Sequence, residues 1–126
     1  MTTWTRQDLI DKLIDWQTGK MSTDEIHEWA TDNWIPYEDQ YEDHEFSVDG
    51  EYLSVTRDVI NYLEELVRLD ITEDDIPALL KYLQTPNGQY IGGNKKISDY
   101  FDSIDWDKRN EELKNKIPYS NWDRRK

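Results

Sequence analysis

The side chains best suited to chemistry are two histidines, His27 and His44, set among 28 Asp and Glu residues in a chain of 126. A helical zinc site would pair two histidines one turn apart. His27-Glu28 has no such partner, so that motif is absent. Asp49-Gly50 ends an acidic run but lacks the alternating carboxylates before the glycine and the glutamate after it that a calcium loop needs. No metal site is therefore expected. The chain has no cysteine, which excludes disulfides and thiolate chemistry. It has no Gly-x-Ser-x-Gly motif, and Ser22 is better used as a helix cap. It also has no Gly-rich phosphate cradle, so no cofactor is expected. General acid–base catalysis would need a deep pocket holding one carboxylate of raised pKa. No spacing in the sequence identifies one, and the chain is not expected to be an enzyme.

What remains is a binding chemistry, concentrated between Trp34 and Glu51. From Glu38 to Glu51 there are seven acidic residues and no Lys or Arg, with Tyr37, Tyr41 and Phe46 interleaved and Trp34 at the entry. Interface hot spots favour Tyr and Trp, while rim charges mainly set the association rate. The expected partner-binding set is Trp34, Tyr37, Glu38, Asp39, Tyr41, Glu42, Asp43 and Glu45. Tyr37 and Tyr41 are read as anchors, and the acids from Glu38 to Asp43 as steering charges. The plainer reading is a solvated loop whose rings, Trp34 and Phe46 first, tuck into the core.

Charge supports a cationic partner. The net charge is −13, and it is uneven: residues 38–51 carry −7, whereas residues 91–126 hold nine basic against seven acidic groups. Direct nucleic-acid binding is disfavoured because phosphates need a cationic footprint. Leu, Ile, Val and Phe make up about a fifth of the chain, near the disordered range, but six Trp and eight Tyr restore enough ring area for a core. The N-terminal sequence has no basic and apolar leader pattern, and no run is long enough to span a membrane. The expectation is a cytoplasmic protein that does not engage a membrane.

The elements that must hold this stretch are helical. Thr5-x-x-Asp8, Ser22-x-x-Glu25 and Thr72-x-x-Asp75 each combine a hydroxyl cap, an acid three residues on, and an apolar pair at the flanking positions. They predict three helix starts. Helix one is read over 6–18, with Leu9, Ile10, Leu13 and Ile14 as its stripe and Gly19 as its stop. Helix two is read over 23–33, with Ile26, Trp29 and Ala30 inward and Pro36 beyond its end. Helix three, over 51–69, carries the most regular apolar face, and helix four runs over 73–84. Weaker patterns give helices over 94–103 and 105–116; Gly92-Gly93 argues against a helix through 88–94. Val48 to Tyr52 has the look of a hairpin tip without an evident partner strand. The reading is an all-α single domain of five to six helices: a capped four-helix core over 1–85, then C-terminal helices and a basic tail over 86–126.

Trp16-x-x-Gly19-x-x-Ser22-x-x-Glu25-x-x-x-Trp29-Ala30, an acidic segment, and Ile71-Thr72-Glu73-Asp74-Asp75-Ile76-Pro77-Ala78-Leu79-Leu80 together resemble small acidic all-α bacterial immunity proteins of polymorphic or contact-dependent toxin systems. The resemblance covers residues 5–85 and rests on capping and packing positions. In general character the chain is also similar to the acidic immunity proteins of nuclease colicins, from which no site residue carries over. The resemblance implies an antitoxin that binds and blocks one cognate toxin domain; the acidic surface points to a cationic one, such as a nuclease or another nucleic-acid-directed toxin. The alternative is an acidic adaptor or nucleic-acid mimic acting on a DNA-binding protein. A toxin reading frame directly upstream of the gene would separate the two.

Overall fold

All three capping signals nucleate helical structure in the computed structural model, which describes residues 4–34, 41–46 and 49–121. Thr5 caps α1 (Arg6–Gln17), Ser22 caps α2 (Thr23–Asn33), and Thr72 caps a 3-10 turn (Glu73–Asp75) that leads into α5 (Ile76–Tyr82). In each case the acid reaches back to the cap backbone; Asp8 and Asp75 accept from Thr5 N and Thr72 N at 2.9 and 2.8 Å. Gly19, at φ +85°, takes the left-handed conformation that ends α1. Trp16 donates its indole N–H to Thr23 Oγ1 at 3.0 Å, which ties the α1–α2 hairpin at its turn.

Between α2 and the next helix lies a hairpin. β1 (Glu45–Phe46) pairs antiparallel with β2 (Tyr52–Leu53), with Glu45 opposite Leu53. Gly50 sits between the strands at φ +82°, where a side chain would be strained. The suspected tip thus has a partner, supplied by the acidic stretch itself. Because residues 52 and 53 are spent in this ladder, the third helix starts later than its apolar pattern suggests. α3 (Val55–Glu64) is capped by Ser54, whose Oγ accepts from Arg57 N at 3.0 Å. It breaks at Glu65 and resumes as α4 (Leu66–Leu69), which Asp70 closes at φ 56°. No Gly or Pro marks that break in the sequence.

α6 (Tyr90–Asp102) runs straight through Gly92-Gly93, against expectation. The cause is tertiary: a Cβ on Gly93 would stand 2.3 Å from Thr85 Oγ1, so the glycine permits close packing of α6 on the end of α5. α7 (Trp106–Leu113) follows, capped by Asp105, and a last 3-10 turn covers Tyr119–Asn121. Seven α-helices are present among the described residues, more than the five to six expected, and the fold is all-α.

One apolar core joins Leu9, Leu13 and Trp16 of α1, Ile26 and Ala30 of α2, Val55, Val59, Ile60 and Leu63 of α3, and Ile76 and Leu79 of α5. Burying each such aliphatic side chain contributes roughly 1.5–3 kcal/mol before entropy is deducted. α3 is the centre, packing on α2 and α1, while α5 carries α6 on its other side. The inward stripe of α1 is Leu9, Leu13 and Trp16 rather than Leu9 to Ile14, which leaves Ile14 exposed. Tyr119 closes the core from the tail and donates its hydroxyl to the Ile71 carbonyl. Among the described residues no helix is long and apolar enough to cross a membrane.

Candidate functional site

The segment from Tyr41 to Glu45 is held from both sides. Trp4, just before α1, forms a parallel bridge with Tyr41, and its carbonyl accepts from Glu42 N at 2.9 Å. Tyr41 is 0 % exposed. Asp43 is 7 % exposed, and its carboxylate gathers three donors: Arg6 Nε at 2.9 Å, Ser54 Oγ at 2.5 Å and Thr56 N at 3.1 Å. Arg6 also donates to the carbonyls of Leu83 (3.1 Å) and Thr85, and to Asn87 Oδ1 (3.2 Å). One ion pair thus joins the start of α1, the start of α3 and the loop after α5.

This corrects two assignments. Tyr41 is a core ring, not an exposed anchor, and Asp43 is a structural carboxylate, not a steering charge. A buried anion is tolerated only when paired and hydrogen-bonded, and Arg6, 37 residues away in sequence, supplies the pairing. Of the other expected residues, Glu42 is exposed. Glu45 is half-buried and accepts from Gly88 N at 2.9 Å. Trp34 is half-buried against the core, with the Arg57 guanidinium 5.5 Å from its ring centroid. Tyr37, Glu38 and Asp39 lie outside the described residues, as does the side chain of Phe46.

Partly exposed aromatic chemistry lies beside that segment, where Trp4, just before α1, meets Trp29 of α2. Trp4 and Trp29 meet edge to face, with centroids 5.5 Å apart at 78°, and both rings stay half-buried. Trp29, expected to point inward, has Glu25 one turn before it, Asp32 three residues after it and Glu28 adjacent in sequence, all exposed. Residues three or four apart share a helix flank, which links Glu25 to Trp29 and both Trp29 and Glu28 to Asp32. Lys12 places its ammonium 5.2 Å from the Trp29 centroid, so this ring already receives a cation. The spacing Glu25-Glu28-Trp29-Asp32 was visible in the sequence. What hid its meaning was the apolar character of Trp, which suits an inward position equally well.

Two further polar clusters act as ties between helices. Asp58 of α3 accepts at Oδ2 from Tyr82 (2.6 Å) and from Tyr90, and Asn94 donates to Tyr82 at 3.2 Å. Burial raises the Asp58 pKa above its ordinary 3.8, only partly countered by those two phenols. Burial and the adjoining carboxylate push the Tyr82 and Tyr90 phenols upward in turn. Asp75, 0 % exposed, accepts from Tyr100 at 2.5 Å and from Arg109 at 2.7 Å, which fastens α6 and α7 to the 3-10 turn. Burial and Asp75 together raise the Tyr100 phenol to about 12. Asp58 is the perturbed carboxylate that an acid–base site would need, yet the groove between α5 and α6 is lined by no Asp or Glu. Tyr82 alone touches both. No group of three or more His, Asp or Glu is placed to hold a metal among the described residues.

The geometry therefore offers an acidic and aromatic surface on the α1–α2 hairpin, braced from below by Tyr41 and Asp43. Compared with protein-family models, curated proteins and solved structures, the chain matches none.

Proposed function

We propose that this protein is an immunity (antitoxin) protein of the bacterial cytoplasm, which binds a cationic toxin domain stoichiometrically and blocks it. The observation that supports the reading is the half-buried Trp4–Trp29 pair, with the exposed acids Glu25, Glu28 and Asp32 on α2 and Glu42 bonded to the Trp4 carbonyl, on a chain of net charge −13. Indole rings set in a ring of charge provide residence time, and the carboxylates provide steering. The hairpin is rigid, with capped helix starts and the Trp16–Thr23 bond at its turn, so little entropy is lost on docking. The buried Asp43–Arg6 pair fixes the segment that presents Glu42 beside Trp4.

Affinity capture from the native host tests this. The tagged protein should retain one cationic protein at one-to-one stoichiometry, encoded by the gene directly upstream. Combined Glu28→Gln, Trp29→Ala and Asp32→Asn substitutions should lose it while preserving the helical circular dichroism. Retention of the same partner by the triple variant would move the binding face elsewhere. Retention of a DNA-binding regulator would replace the immunity reading with that of an adaptor or nucleic-acid mimic.

A further inference from the structure

The groove between α5 and α6 has the opposite charge to the acidic flank of α2. It encloses about 560 Å3, with Pro77, Ala78, Pro86 and Ile97 among its apolar lining. Lys81 enters it from α5 and Lys96 from α6, and no Asp or Glu lines it, although acids outnumber bases 28 to 15 in the chain. Both lysines are exposed, and neither makes an ion pair among the described residues. Lys95, the immediate neighbour of Lys96, does pair, with Asp99 at 2.8 Å.

A second observation comes from the two glycines of α6. Gly93 has a packing reason, the contact with Thr85. Gly92 has none: a Cβ there would meet nothing within 4 Å, and its backbone is helical. A glycine inside a helix costs stability, so an unexplained one invites a reason outside the folded chain itself. Gly92 lines the groove, and the missing side chain leaves the backbone open to whatever enters.

We propose that this groove binds a small amphipathic organic anion, a carboxylate bearing an apolar tail. The tail lies on Pro77, Pro86 and Ile97 beside the bare backbone of Gly92, and the carboxylate sits between Lys81 and Lys96. The volume falls in the usual range for small-molecule sites, and a few polar groups at the mouth of an apolar cleft give such sites their orientation. The site is separate from the tryptophan surface of the α1–α2 hairpin and does not depend on it.

Decanoate is the probe, titrated into the full chain by calorimetry and by amide chemical-shift mapping. Salt is held at 0.15 M, where the Debye length of roughly 8 Å screens the distant acidic surface. Saturable binding is expected, with shifts confined to α5, α6 and the loop between them. Lys81→Gln and Lys96→Gln should each weaken it by roughly tenfold, the loss of one charge-assisted contact. Gly92→Leu should raise the thermal midpoint and abolish binding, because leucine favours the helix and fills the groove. Equal binding of decanol would overturn the anion requirement. Decanoate binding that survives Gly92→Leu, or that shifts residues elsewhere, would overturn the site. An acidic leucine-containing peptide binding more tightly than decanoate would overturn the small-ligand assignment in favour of a protein segment. Failure of decanoate to bind would overturn the proposal outright.

Discussion

Replacing Asp43 by alanine separates a structural carboxylate from a steering charge. The substitution strands two buried donors, Ser54 Oγ and Thr56 N, which belong to residues 1 % and 0 % exposed. Each unsatisfied buried donor costs about 1–3 kcal/mol. Arg6 loses its counter-ion as well, but its side chain is 21 % exposed and keeps the carbonyls of Leu83 and Thr85, so its share is discounted to about 1 kcal/mol. The expected loss is about 3–7 kcal/mol, a large fraction of the roughly 5–15 kcal/mol that holds a domain together. For a chain of this size that lowers the thermal midpoint by roughly 10–25 °C. Urea unfolding followed by far-ultraviolet circular dichroism reads the free energy directly, and an unchanged m-value keeps the comparison two-state. Glu42→Ala, at the exposed neighbour, should stay within about 0.5 kcal/mol of the parent. If Asp43→Ala is as mild as Glu42→Ala, the Asp43 hub does not hold the segment, and the bracing of the tryptophan surface fails with it.

Other consequences can be measured on the isolated protein. Gly93→Ala should destabilise by about 1–3 kcal/mol through the clash with Thr85, whereas Gly92→Ala should stabilise by about 0.5–1 kcal/mol; equal effects would refute the packing reason for the α6 glycines. Truncating Arg109 to alanine leaves Asp75 fully buried with only Tyr100 and Thr72 N as donors, and should cost about 2–4 kcal/mol in chemical denaturation. Asp58 has a folded pKa above its ordinary 3.8, so the folded state holds its proton more tightly than the unfolded one. Its contribution is therefore fully present below the ordinary value and is lost as pH rises through the folded pKa. The stability of Asp58→Asn relative to the parent should accordingly climb across that window in urea titrations. A pH-independent difference would refute it.

Local signals proved the most legible part of the chain. Thr5, Ser22 and Thr72 each read correctly as a cap, and Gly19 as a stop, because each acts through neighbours within one turn. Several of the misread positions depend on distant partners. Gly92-Gly93 looks like a helix breaker until Thr85 is packed against it. Tyr41 and Asp43 look like surface chemistry until Trp4 and Arg6 are brought across from α1. The hairpin tip was suspected, but its partner strand went unseen because that strand is only two residues long and half acidic, with Glu45 turned to the loop after α5. Trp29 is the instructive case for the site. Its spacing to Glu25 and Asp32 was there to be read, but that the ring packs on the core and edge to face with Trp4 while staying half-buried was not.

Binding of a cationic partner through the hairpin surface is tested most directly by association and dissociation rates of the purified complex at varied salt. The association rate should fall steeply as the Debye length shrinks from ~10 Å at 0.1 M to ~3 Å at 1 M. Trp29→Ala should speed dissociation by roughly thirtyfold, the effect of removing a hot-spot ring, and change association little. A salt-independent association rate, or a Trp29→Ala complex that dissociates no faster than the parent, would contradict the account.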